Sequence, residues 1–126
     1  GRIYVAAGYG GPNREPCDRT FVLNPLDGVW EELARIPTGR GSPGALASGR
    51  KIYVFGGRRP GHYYDEVEVY DVDRDSWSSE VPLPEAKAWM ASASVDDRIF
   101  VMGGAYRLAS GSGFRWIDDL HELVLK

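Results

Sequence analysis

The run "FGGRRPGHYY" sets two arginines, Arg58 and Arg59, directly after a glycine pair, with His62, Tyr63 and Tyr64 close behind. Guanidinium groups hold carboxylate, phosphate or sulfate through parallel N–H donors, and tyrosine rings add flat amphipathic contact area. The same mixture recurs in "YGGPNREPC", with Tyr9 and Arg14, and in "AYRLASGSGFRWI", with Tyr106, Arg107, Phe114, Arg115 and Trp116. Two further segments add Arg40 and the set Lys87 and Trp89; Arg40 and Lys87 occupy matching places in them. Arg14, Arg40, Arg58, Arg59, His62, Tyr63, Lys87, Trp89, Arg107 and Arg115 are therefore the candidate ligand-binding set. Its chemistry fits a protein partner with an acidic peptide, or an anionic small molecule or sugar. The plainer alternative is that these are solvated loop charges with aromatics packed on strand edges.

Other chemistries fare worse. A phosphate loop needs a helix after its glycines, whose N–H groups and dipole hold the anion. Here Pro60 and another strand-like run follow, and no Lys-Ser or Lys-Thr follows a glycine. The single cysteine, Cys17, has no nearby histidine, and it excludes an internal disulfide or a cysteine zinc cluster. His121, in "LHELVL", reads as an exposed strand residue. No catalytic residue, metal ligand or cofactor is assigned. The net charge of −3 argues against a nucleic-acid partner. No run of 18 apolar residues is present, so no membrane-spanning helix is expected. The first residues lack a signal-peptide pattern, but a start at Gly1 reads as a cut chain, so that says little. The compartment stays open, with the cytoplasm favoured.

What positions these residues is a repeat. "RIYVAAG", "KIYVFGG" and "RIFVMGG" begin 49 and then 47 residues apart. "TFVLNPLDGVW" and "VEVYDVDRDSW" end at Trp30 and Trp77, and "IPTGRGSPGALAS" pairs with "LPEAKAWMASASV". Each unit reads as four short strands. One is small and alternating, one is apolar enough to be buried on both faces, one alternates charged and apolar residues, and one is short. Turns rich in Asp, Asn, Gly and Ser separate them. No segment keeps a helical period. Trp30, Trp77 and Tyr70 read as packing residues between units, and Asp65 and Asp118 as turn caps.

The set Gly56, Gly57, Tyr70 and Trp77 resembles the kelch repeat, which has a glycine pair after an apolar strand, then a Tyr and a Trp about seven residues later. Gly103 and Gly104 repeat the pair; the first unit departs, with Ala7 before Gly8 and Leu23 in place of the Tyr. The resemblance implies an all-β fold of four-stranded antiparallel propeller blades. On it, residues 1–39 are a partial blade (strands b, c and d), 40–83 a complete one (a to d) and 84–126 a partial one (a, b and c). An incomplete ring of this kind is expected to be an excerpt of a longer propeller, with flanking blades of the same parent chain as partners.

Up-and-down strands sort the loops onto two faces. The short a–b and c–d turns carry most of the Asp residues. The longer b–c loops and the d–a links carry the arginines and aromatics. The resemblance implies a protein-interaction module, since kelch domains of ubiquitin-ligase adaptors bind acidic peptides through arginines of this face. It also admits a carbohydrate-active enzyme such as a sialic-acid mutarotase, with His62 moving protons, or a structural scaffold. A copper-radical oxidase of galactose needs a Tyr–Cys cross-link and two His ligands, which Cys17, His62 and His121 do not supply.

Overall fold

The computed structural model describes residues 1–125; Lys126 lies outside them. The short runs of Val, Ile, Tyr and Phe between turn residues all become strands, and no helix occurs among the described residues. The first sheet is antiparallel, with β1 (Ile3–Ala6), β4 (Thr20–Asn24) and β5 (Val29–Leu33) in the order β1-β4-β5. The second holds β6 (Gly44–Ser48), β7 (Lys51–Phe55), β10 (Val67–Asp71) and β11 (Ser76–Glu80), ordered β11-β10-β7-β6. The third holds β12 (Ala91–Val95), β13 (Arg98–Met102) and β16 (Leu120–Val124) in the order β12-β13-β16. None closes into a barrel; the series of antiparallel sheets is that of an incomplete propeller.

The segments between the second and third strands of each unit, expected as open loops, are themselves folded. Two-residue strands β2 (Tyr9–Gly10) and β3 (Glu15–Pro16) form one ribbon, and β8 (Arg58–Arg59) and β9 (His62–Tyr63) a second. The third joins β14 (Ala105–Arg107) to β15 (Phe114–Trp116).

Period-2 alternation decides what each sheet buries. Tyr53, Phe55, Val67 and Val69 of the second sheet pack with Ile99 and Val101 of the third, together with Leu83 and Met90. Each such side chain contributes about 1.5–3 kcal/mol. On its other face the second sheet meets the first. Tyr70 lies 6.3 Å from Tyr4 and 5.3 Å from Trp77, and the Trp77 indole N–H donates to the Ala34 carbonyl at 2.9 Å. Asp75 accepts from the Tyr70 hydroxyl at 2.7 Å and from the Ala34 amide at 2.8 Å, which ties the c–d turn of one unit to the chain of the previous one.

Four residues need comment, of which His121 and Asp65 depart from expectation. Trp30, the counterpart of Trp77, is 52% exposed and lies on the side of the first sheet away from the second, as Trp77 lies on the side of its sheet toward the preceding unit. Glu68 sits on an alternating strand yet is buried, since both faces of β10 are covered. His121 is half-buried and bonded to Asp119 rather than freely exposed. The turns are capped by Asn24, Asp27 and Asp71, whose side chains accept backbone N–H groups, whereas Asp65 uses its backbone carbonyl, accepting from the Leu83 amide at 2.8 Å.

The glycine pair acquires a sharper meaning. Its first position has φ of 52° at Gly56, 64° at Gly103 and 60° at Ala7; its second has 101° at Gly57, 105° at Gly104 and 95° at Gly8. The first value is the left-handed helical region, which alanine enters at a cost of roughly 1–2 kcal/mol. The second lies beyond it, where only glycine is at ease. The one departure in the glycine pair thus falls at the position that tolerates it.

Candidate functional site

Backbone hydrogen bonds build the loop face. The Gly57 amide donates to the Lys87 carbonyl and the Gly8 amide to the Arg40 carbonyl, both at 2.8 Å. Gly41 and Arg58 exchange two bonds of 2.8 Å, and Ala88 and Ala105 bond in the same way. Each link between units is therefore stitched to the bases of the ribbons beside it. Trp89, two residues past Lys87, is brought against the ribbon of β8 and β9.

The result is an aromatic cluster around one guanidinium. Arg58 stands over the Tyr63 ring at 5.7 Å and over the Trp89 ring at 5.4 Å, cation–π distances. Tyr63 meets Trp89 edge-on at 6.1 Å and Tyr106 at 6.4 Å, and Trp89 meets Phe114 at 5.6 Å. Between the second and third ribbons lies a cleft of about 370 Å³, lined by Arg58, Gly61, Tyr63, Arg107, Leu108 and Ala109. Arg107 donates to the Gly111 carbonyl at 3.1 Å, which holds its guanidinium at the cleft. The Arg58 Nε and the Tyr63 hydroxyl are buried without a hydrogen-bond partner among the described residues. Such groups cost roughly 1–3 kcal/mol each when left unmade, a cost the packing of this cluster carries.

Of the ten candidates, Arg58, Tyr63 and Trp89 come together, with Arg107 across the cleft. Arg59 and His62 are partners in the adjoining ribbon and are exposed, and the His62 ring sits edge-on to Tyr64 at 4.6 Å. Arg14, at a positive-φ turn of the first ribbon, and Arg115, opposite Tyr106 on β15, are exposed but do not line the cleft.

Arg40 and Lys87 are not on the loop surface, contrary to the sequence reading. Both are 0% exposed. Their backbones are consumed by the stitching, so their side chains run inward beneath the ribbons. Arg40 Nη2 pairs with Glu68 Oε2 at 2.9 Å, Thr38 Oγ1 donates to Glu68 Oε1 at 3.2 Å, and Arg40 lies 5.7 Å from the Tyr64 ring. Burial pulls the Arg40 pKa below its ordinary value; Glu68, Glu66 and Tyr64 oppose this. Lys87 Nζ bonds Asp119 Oδ1 at 2.6 Å, and His121 Nε2 shares Asp119 Oδ2 at 2.6 Å. Burial works to raise the Asp119 carboxyl, but the bonds from Lys87 and His121 outweigh it and hold the group below the usual carboxylate range. These two cations are framework, already neutralised.

Glu68, Asp119 and Phe114 are the participants the candidate set lacked. On the opposite face a shallow hollow of about 500 Å³ is lined by Asp71, Asp73, Asp96 and Asp97 beside Arg50 and Lys51. Arg50 bonds Asp73 at 2.7 Å and lowers its carboxyl pKa. The charge separation between the two faces is thus preserved in space.

A family model described as the kelch motif matches residues 39–84. Kelch-like protein 40 of Xenopus laevis is 28% identical over 81% of the chain, and kelch-like protein 23 of Mus musculus 28% identical over 95%. Kelch domain-containing protein 7A of Mus musculus is 32% identical over 83%. The chain spans 16%, 22% and 13% of these relatives, respectively.

Proposed function

We propose that this chain, a run of kelch repeats with the fold of an incomplete propeller, is a non-enzymatic recognition module that binds an acidic peptide segment of another protein on its ribbon face. The observation that carries the reading is Arg58, held between Tyr63 and Trp89 and facing Arg107 across an open cleft. A carboxylate entering there meets aromatic walls and two positive charges, Arg58 and Arg107. Arginine flanked by tyrosine and tryptophan is the composition of binding hot spots. Arg59 adds charge and His62 a ring at the rim, where a charge acts on association rate more than on final affinity.

The test is titration of a fluorescein-labelled glutamate-rich peptide at low salt, read by anisotropy. The double variant Arg58→Glu, Arg59→Glu is expected to abolish binding, and 0.5 M salt to weaken it in the parent. Unchanged affinity in the double variant overturns the proposal.

A further inference from the structure

Trp89 is a costly residue where it stands. Its backbone is left-handed, with φ of 58°, a conformation that bulky side chains rarely adopt. The matching position one unit earlier is Ser42, also left-handed at φ of 52°. The two are bonded to each other, the Trp89 amide donating to the Ser42 carbonyl at 3.1 Å. The fold therefore asks for the backbone conformation but not for an indole; a serine satisfies the same place. Nor is the indole buried in the core, being 44% exposed. Strain maintained at a ligand-facing surface points to a function of the side chain.

Its neighbours say which function. From Arg58 the rings run outward through Trp89 and Phe114, 5.6 Å apart, to Trp116, 6.2 Å further. Phe114 is 45% exposed; Trp116 holds the place that Tyr63 holds one unit earlier, where the ring packs on the following link's Trp89. The planes turn by 78° and then 39°, so they form notches rather than a level platform on which a sugar ring could lie. A notch between tilted rings fits an inserted apolar side chain. The first notch begins at the ring over which Arg58 stands at 5.4 Å. In an extended peptide, side chains two residues apart share a face at roughly 6.4–6.8 Å, so the residue two places from the carboxylate is the nearest one on its side of the strand.

We infer that Trp89, with Phe114, determines specificity: the acidic partner carries an aromatic or large aliphatic side chain two residues from the carboxylate that Arg58 receives. The inference rests on the acidic-peptide reading of this face. It is tested with the full-length protein and three capped peptides, Gly-Glu-Gly-Phe-Gly, Gly-Glu-Gly-Ala-Gly and Gly-Gln-Gly-Phe-Gly, with glucuronate as a sugar-acid control, by NMR or calorimetric titration. The Glu–Phe peptide is expected to bind about tenfold more tightly than the Glu–Ala peptide and the Gln–Phe peptide more weakly than Glu–Phe. Trp89→Ser, which installs the residue the fold already accepts at the matching position, is expected to shrink the Phe-over-Ala preference below twofold. Equal binding of the Glu–Phe and Glu–Ala peptides, or a preference that survives Trp89→Ser, overturns this inference and leaves the acidic reading standing. Loss of discrimination between Glu and Gln overturns both. Glucuronate binding more tightly than Glu–Phe, and lost in Trp89→Ser, assigns the notch to a sugar instead and also overturns it.

Discussion

Removing Glu68 should damage the protein far more than removing any arginine at the surface. Glu68→Ala leaves the Arg40 guanidinium, which has no exposure, without its ion-pair partner. What remains is one long bond to the Val54 carbonyl at 3.4 Å and the Tyr64 ring at 5.7 Å, while Nε and Nη1 are already unpartnered. Water cannot reach the charge where it lies. Breaking a buried pair in this way costs about 3–5 kcal/mol. An unfolding entropy of about 2.1 cal/mol/K per residue gives about 0.26 kcal/mol/K over this chain, so the melting temperature should fall by ~12–19 °C. Circular dichroism melts at neutral pH measure it. The double variant Arg40→Met, Glu68→Leu removes both charges and should recover most of the loss, because apolar replacement of a buried pair is often close to neutral. A fall of less than ~4 °C in Glu68→Ala, about 1 kcal/mol by the same conversion, would refute the argument that Arg40 is framework. So would a double variant no better than the single one.

Two other outcomes follow from the same geometry. Trp77→Phe removes the bond to the Ala34 carbonyl and part of the ring contact with Tyr70, so urea unfolding should show a loss of ~1–2 kcal/mol, whereas Trp30→Phe, at a 52% exposed site, should change stability by under ~0.5 kcal/mol. The depressed Asp119 carboxyl fixes the sign of a pH effect: its pairing contributes stability above the ordinary carboxylate range of about 4 and is lost as the pH falls through the lower folded value. Melts between pH 7 and pH 2 should therefore decline less steeply in Asp119→Asn than in the parent, and parallel declines would contradict the pairing.

Strands and unit boundaries are visible in the sequence because they depend on local pattern. A basic residue, an apolar run and two glycines at a fixed period identify β1, β7 and β13 without any knowledge of contacts. Arg40 and Glu68 show where this stops. Alternation along β10 puts Glu68 on the same side as Tyr70, and that side is interior because another sheet covers it. Whether a charge there is ruinous or satisfied depends on a partner 28 residues upstream in a different element. Nothing local to "VEVYDV" or "PTGRGSP" announces the pairing. The same applies to the direction of Arg40 and Lys87. Loop composition counts charges, but only the backbone bonds of Gly8 and Gly57 decide that these two side chains turn inward. Arg58 and Trp89 were recognisable by type; their contact required the bridge between Gly41 and Arg58.

The three ribbons have tips of very different size. Four residues separate β2 from β3, two separate β8 from β9, and six separate β14 from β15. Their roots are nonetheless alike, since Gly8, Gly57 and Gly104 hold the same backbone conformation and the neighbouring link docks beneath at least two of them through the same type of bridge. Anchorage and display are thereby uncoupled. A tip can be lengthened, shortened or exchanged for a foreign sequence while the seam below it stays shut, which makes these segments natural grafting points for new binding specificities. Grafts should begin after Arg58 and end before Tyr64, because Gly57 accepts the Tyr64 amide at 2.9 Å and that bond belongs to the seam, not to the display.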